Sequence, residues 1–208
     1  AMIVQDQLGI PMDKVTVIHG DTDAIPVGTG TYASRSLQVG GIAVHECAVK
    51  IKEKARELAA RELEADPNDL VLDTATGSWH VQGVPGTKLD WARLAELAGE
   101  EGLTADVHFK PSRPTFPFGA HLAVVEVDTE TGQVRLLRHI SLDDAGPLIN
   151  PIIAEGQRHG GIAQGVAQAL YEEMAYDAEG NPITANLADY PMISAAELPS
   201  FELLTMET

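Results

Sequence analysis

Residues 156–173, GQRHGGIAQGVAQALYEE, have the spacing of a helix yet carry Gly160, Gly161 and Gly165 in its interior. Each interior glycine costs a helix about 1 kcal/mol against alanine, so something must offset the loss. Close approach of a second backbone, or of a flat ligand, would do so. Gln157 and Gln164 are seven residues apart and share one face of that helix. Their amides can read the hydrogen-bonding edge of a heterocycle. Helix–helix packing through Gly161 and Gly165 is the alternative, and the segment alone leaves both open.

A second segment needs an explanation of its own. GDTDAIPVGTGTYASRS, residues 20–36, is rich in glycine and hydroxyl residues and has one arginine but no lysine. Backbone N–H groups in a glycine-rich turn make a concave anion site, and a following helix adds its positive end. Thr29, Thr31, Ser34 and Ser36 add neutral donors. The pattern suits a pyrophosphate or a polar heterocycle, and a plain polar turn is the other reading. No Gly-Lys-Ser/Thr occurs, which excludes a Walker A loop. Gly28 to Ala33 matches G-x-G-x-x-A, but six residues separate Asp21 from Gly28, where a dinucleotide-binding turn follows its strand at once. A nucleotide-binding dehydrogenase therefore stands as a rival reading, and a non-catalytic assembly module as another.

Charge narrows the partners. The 208 residues carry 14 basic and 31 acidic side chains, a net charge of −17. Such a surface repels phosphate backbones, which argues against nucleic acid. No apolar run reaches the roughly 18 residues of a membrane span, no signal peptide is visible, and the single Cys47 excludes an internal disulfide. A cytoplasmic location fits. Seven histidines include His159 four residues after Glu155, but there is no H-E-x-x-H and no Cys/His cluster, so no metal ligand is assigned. Asp143 and Asp144 are adjacent and point apart on a strand, as turn formers rather than an acid/base pair.

The pattern along the chain predicts an α+β fold, with mixed sheets packed against long helices. AMIVQDQLGIP reads as the end of a helix capped by Gly9. VTVIHGD (15–21) and ADVHFK (105–110) read as strands, and a helix is predicted from about Leu37 to Ala65, with Val44, Cys47, Ile51, Ala55 and Leu58 as its apolar stripe. Residues 70–83 read as a hairpin and 89–102 as a short helix. Trp79 and Trp91 are core anchors. Residues 110–119 hold three prolines and serve as a stiff connector. Two strands joined by Asp-Thr-Glu-Thr-Gly follow, over 120–146, then a helix opened by Asn150-Pro151. FELLTMET reads as a strand that stops without a partner. Two subdomains are expected, 1–115 and 116–208, and both ends read as interior to a longer chain.

Three collinear stretches carry a family resemblance: GDTDAIPVGTGTYASRS, DDAGPLINPIIAEGQRHGGIAQGVAQALYEE and ADYPMISAAELPSFE. Together they resemble the large, molybdopterin-binding subunit of the xanthine oxidase family of molybdenum hydroxylases, of the aldehyde oxidase and carbon monoxide dehydrogenase type. The resemblance implies that Gly30, Thr31, Ala33, Ser34 and Ser36 contact the cofactor's pterin and phosphates, with Arg35 nearby. It implies Gln164 as an amide ligand to the pterin end and Gln157 as a secondary one. Ala33 stands where many bacterial relatives have glycine, tolerable if its φ is negative. The implied cofactor is molybdopterin cytosine dinucleotide, with iron–sulfur and FAD on partner subunits. The implied reaction oxidises an aldehyde, carbon monoxide or an N-heterocycle with water as oxygen source. Its catalytic glutamate is expected beyond residue 208, so no catalytic residue is assigned here. The isolated chain is expected to be inactive and cofactor-free, with an exposed cofactor wall that leads either to self-association or to disorder at the tips.

Overall fold

Gly9 ends the first helix, α1 (Met2–Leu8), with φ 67° and ψ 16°, and its N–H returns to the Gln5 carbonyl. A side chain here would also collide, since a Cβ would lie 2.6 Å from the Thr74 carbonyl oxygen. In this computed structural model, residues 1–28 and 30–208 are described. They divide into two units, Ala1–Arg113 and Pro114–Thr208.

In the first unit, α2 (Ile42–Glu62) is preceded by a π-helical stretch, Leu37–Gly41. An antiparallel sheet in the order β1 (Leu70–Asp73), β2 (Ser78–Val81), β3 (Val84–Asp90) leads into α3 (Trp91–Ala98). Asp90 caps α3 by accepting from the Arg93 N–H at 2.8 Å. The core is Ala55, Ala59, Ala60, Leu70, Trp79, Leu89 and Leu94. The alanines let α2 come close to β2, and Trp79 fills the space with no exposed surface. Trp91 meets it edge-on at 6.2 Å and donates its indole N–H to the Leu8 carbonyl at 2.8 Å, tying α1 to the core. The buried line of α2 runs through Ala48, Ala55 and Ala59, so Val44, 40 % exposed, falls outside the predicted stripe.

Both strands predicted before the connector are corrected. Residues 15–21 and 105–110 are irregular and form no ladder among the described residues. Val17 and Ile18 are 62 % exposed. β-branched residues favour a pleated surface but do not supply its partner. For the second segment, side chains of α2 take the backbone carbonyls instead: Lys54 Nζ donates to Thr104 at 2.7 Å and Lys50 Nζ to Asp106 at 3.3 Å.

In the second unit, β4 (Phe118–Val127) pairs antiparallel with β5 (Val134–Asp144), with an irregularity at Val124/Val125. Asp128 closes the turn by accepting from the Glu130 N–H at 2.8 Å, and Gly132 takes φ 76°. α4 (Pro151–Leu170) is capped by Asn150, whose Oδ1 accepts from the Ile153 N–H at 3.2 Å, with Pro151 in its first turn. β6 (Phe201–Met206) lies parallel to β5, which corrects the expectation of an unpartnered last strand. The fold is thus α+β with mixed pairing. No helix among the described residues is long and apolar enough to cross a membrane.

Candidate cofactor-binding site

The glycine–hydroxyl loop of the first unit is folded by its own side chains. Gly30 has φ 75°, and Ala33 and Ser34 both have φ 52°. The condition that would make alanine tolerable at position 33, a negative φ, is not met: the chain turns through two consecutive left-handed residues. That costs about 1–2 kcal/mol for each non-glycine residue, which explains why glycine suits this position. Arg35 folds back across the loop. Its Nη2 donates to the Gly30 carbonyl at 3.0 Å, and its Cζ lies 3.7 Å from the centre of the Tyr32 ring. The Thr31 and Ser36 hydroxyls hydrogen-bond to each other. Thr31, Tyr32, Ala33, Ser34 and Ser36 are exposed, and Arg35 is half-buried. Thr29 lies outside the described residues. The π-helical stretch that follows widens the start of α2, a distortion common near functional sites.

In the second unit, α4 has two chemically distinct faces. Ile162 and Ala167 are buried. On the other side Gln157 and Gln164 are exposed. Gln168, four residues beyond Gln164, is exposed as well and was missed from sequence, though the i, i+4 spacing would have found it. At 100° per residue the three amides fall within about 40° of one another and span about 16 Å of helix. A methyl group placed at Gly156, Gly160, Gly161 or Gly165 would meet no atom within 4 Å. The glycines therefore do not serve helix–helix packing among the described residues. They bare a strip of backbone beside a row of amides.

The buried side of α4 is fixed by a network that sequence reading did not find. Arg158, 16 % exposed, donates from Nε to Asp143 Oδ2 at 2.7 Å. Its Nη2 reaches the Ser141 carbonyl at 3.0 Å and the Leu204 carbonyl at 2.6 Å, joining the helix to β5 and β6. Asp143 is thus an anchor rather than a turn former. Burial pushes its carboxyl up, but the Ser141 hydroxyl, the Arg158 guanidinium and His121 outweigh this and hold it below the usual range. Asp144 points the other way. It accepts from the Thr208 hydroxyl and the Gly146 N–H, which lower its pKa, so the turn reading holds for it alone. His159 Nε2 lies 3.6 Å from Glu155 Oε1, an ordinary i, i+4 pair.

The dinucleotide-fold rival does not fit. Residues 15–21 form no strand ahead of Gly28, and the first unit's sheet is antiparallel. Taken separately, the second unit presents an exposed row of neutral amides beside bare helix backbone, and the first unit presents a loop of hydroxyls with left-handed backbone. The chain belongs to the molybdopterin cofactor-binding domain family, which matches residues 1–199. Within it, the chain is of the large-subunit type found in the xanthine oxidase family of molybdenum hydroxylases. It is 40 % identical over 214 residues to the carbon monoxide dehydrogenase large chain of Hydrogenophaga pseudoflava, covering 97 % of this chain and 26 % of that one. It is 37 % identical over 219 residues to the gamma subunit of the 6-hydroxypseudooxynicotine dehydrogenase complex of Paenarthrobacter nicotinovorans, covering all of this chain and 27 % of that one. Among solved structures, a Cu,Mo-CO dehydrogenase in its carbon monoxide reduced state superposes with a TM-score of 0.88 at 37 % identity, over 99 % of this chain and 26 % of that one. The chain spans about a quarter of the length of the curated relatives it matches.

Proposed function

We propose that this chain supplies part of the wall that holds molybdopterin cytosine dinucleotide in the large subunit of a molybdenum hydroxylase. The observation that carries the reading is the exposed row of Gln157, Gln164 and Gln168 beside the open glycines of α4. In this reading Gln164 and Gln168 bind the heterocycle edge, with Gln157 as a further amide. Gly160 and Gly161 let the flat group reach the helix backbone. Gly30, Thr31, Ala33, Ser34 and Ser36 hold pterin and phosphate oxygens of the same cofactor, and Arg35 keeps the loop in shape. When bound, the cofactor supplies two-electron oxidation at molybdenum, with water as the oxygen source. The α4 amide face carries no carboxylate, so its residues bind and orient and do not move protons. The substrate class is an aldehyde, carbon monoxide or an N-heterocycle. Electrons pass to iron–sulfur and FAD groups on partner subunits, in the cytoplasm. By itself the chain is inactive and holds no cofactor, because a dinucleotide needs many contacts at about 1 kcal/mol each.

The test is metal and nucleotide content. In the full-length large subunit, Gln164→Ala and Ser34→Ala each lower molybdenum and cytosine nucleotide per chain while the protein stays folded. Full occupancy in both variants overturns the reading.

A further inference from the structure

The face of the β4–β5–β6 sheet beneath α4 carries a hydrogen-bonded chain that the proposed cofactor role does not use. Asp143 Oδ1 lies 3.4 Å from His121 Nε2, and His121 Nδ1 lies 3.1 Å from His139 Nε2. The two imidazoles meet edge to face at 5.3 Å. His139 packs against Phe201 of β6, and Phe201 in turn stacks against His159 of α4, each at 5.6 Å. The chain ends inside the protein, because His139 Nδ1 is buried with no hydrogen-bond partner among the described residues. The other oxygen of the same carboxylate is the one that holds Arg158.

This order fixes the neutral tautomers. A carboxylate accepts, so His121 donates from Nε2 and accepts at Nδ1; His139 then donates from Nε2 and keeps a bare lone pair on Nδ1. A first added proton on His121 strengthens its bond to Asp143 but drives the His139 proton to Nδ1, where no acceptor waits. A second makes both rings cations at a separation that opposes them. Of the charged and titratable groups around the pair, Asp143 on β5 bonds His121 directly, Arg158 on α4 bonds Asp143, and His159 on α4 is separated from His139 by Phe201, with Glu155 3.6 Å beyond His159. β6 adds only the uncharged Phe201, since Glu202 pairs with Arg138.

We infer that His121 and His139 form a proton-operated latch on the seat of α4. With at most one proton shared by the pair, Asp143 keeps Arg158 and the helix stays docked on β5. With two, the rings part, the carboxylate is drawn from the guanidinium toward the imidazolium, and α4 loosens. The inference concerns this chain's own packing and stands whether or not the α4 amide face binds a cofactor.

The test follows the side-chain 15N shifts of His121 and His139 with pH in the 208-residue chain, together with amide exchange along α4 corrected for its intrinsic pH dependence. The latch requires two separate steps, each sensed by both rings. Exchange in α4 should speed up at least about tenfold through the lower step. His121→Gln keeps a donor toward Asp143 but takes up no proton, and should abolish the lower step and the acceleration. His139→Gln should do the same, and His159→Gln should not. Independent titration of the two rings, α4 exchange that ignores the lower step, or the same acceleration in His121→Gln would each overturn the inference. Should neither glutamine variant fold, the titration and exchange of the parent chain decide alone.

Discussion

Arg158 Nε sits 2.7 Å from Asp143 Oδ2, and this ion pair joins the helix with the amide face to the strand beneath it. Both side chains are largely shielded, at 16 % and 28 % exposed. Removing the guanidinium leaves a carboxylate and two backbone carbonyls short of a donor. Arg158→Met should cost about 2–4 kcal/mol, at or below the range for breaking a buried pair. Arg158→Lys should cost less, since it keeps the charge but not the fork. Urea unfolding of both variants checks the order.

Acid should loosen the same place. The Asp143 pKa is lowered in the fold, so the stabilisation that depends on its own ionisation is full above the ordinary carboxylate value of 3.8 and is lost as pH falls through the folded value. Asp143→Asn should therefore unfold at lower denaturant than the parent near neutral pH, with the gap narrowing toward pH 3. Unfolding midpoints measured across that range decide it. A gap that stays constant shows that the carboxylate's charge does not matter.

The first unit should depend most on one side chain. Trp79 is fully buried against α2 and Trp91. Trp79→Ala should cost about 3–5 kcal/mol, the range for deleting a large aromatic from a packed core. A loss below 1 kcal/mol by denaturant titration, on the scale of a surface change, would show that the alanine-lined helix does not pack as described.

The Ala33 backbone offers a gain instead of a loss. At φ 52° alanine is strained and glycine is not. Ala33→Gly should be neutral or raise stability by up to about 1 kcal/mol, although glycine elsewhere in a loop loosens the unfolded chain and lowers it. Thermal unfolding of this variant beside Ala24→Gly separates strain relief from the general cost of glycine.

What could be read from the chain follows from how local each signal is. The α4 helix, its Asn150 cap and the β4–β5 turn are specified within a few residues of themselves, and the structure has them where the spacing puts them. Residues 15–21 and 105–110 have strand composition, but a ladder partner is not a local property, and the helix lysines that hold the second segment come from about 50 positions earlier. β3 was missed because Pro85 and Gly86 suppress a strand signal, although proline is tolerated on the edge strand that β3 forms. Asp143 and Arg158 lie 15 residues apart on different elements, and no periodicity links them. The left-handed backbone at Ala33 and Ser34 is likewise invisible in composition, since neither is glycine.

The structure of the full-length large subunit with its cofactor bound tests the central claim most directly. The Gln164 amide should lie within hydrogen-bond distance of the cofactor, with the Gly160–Gly161 backbone in van der Waals contact with it. An α4 amide face covered by protein, with the cofactor elsewhere, would contradict the claim.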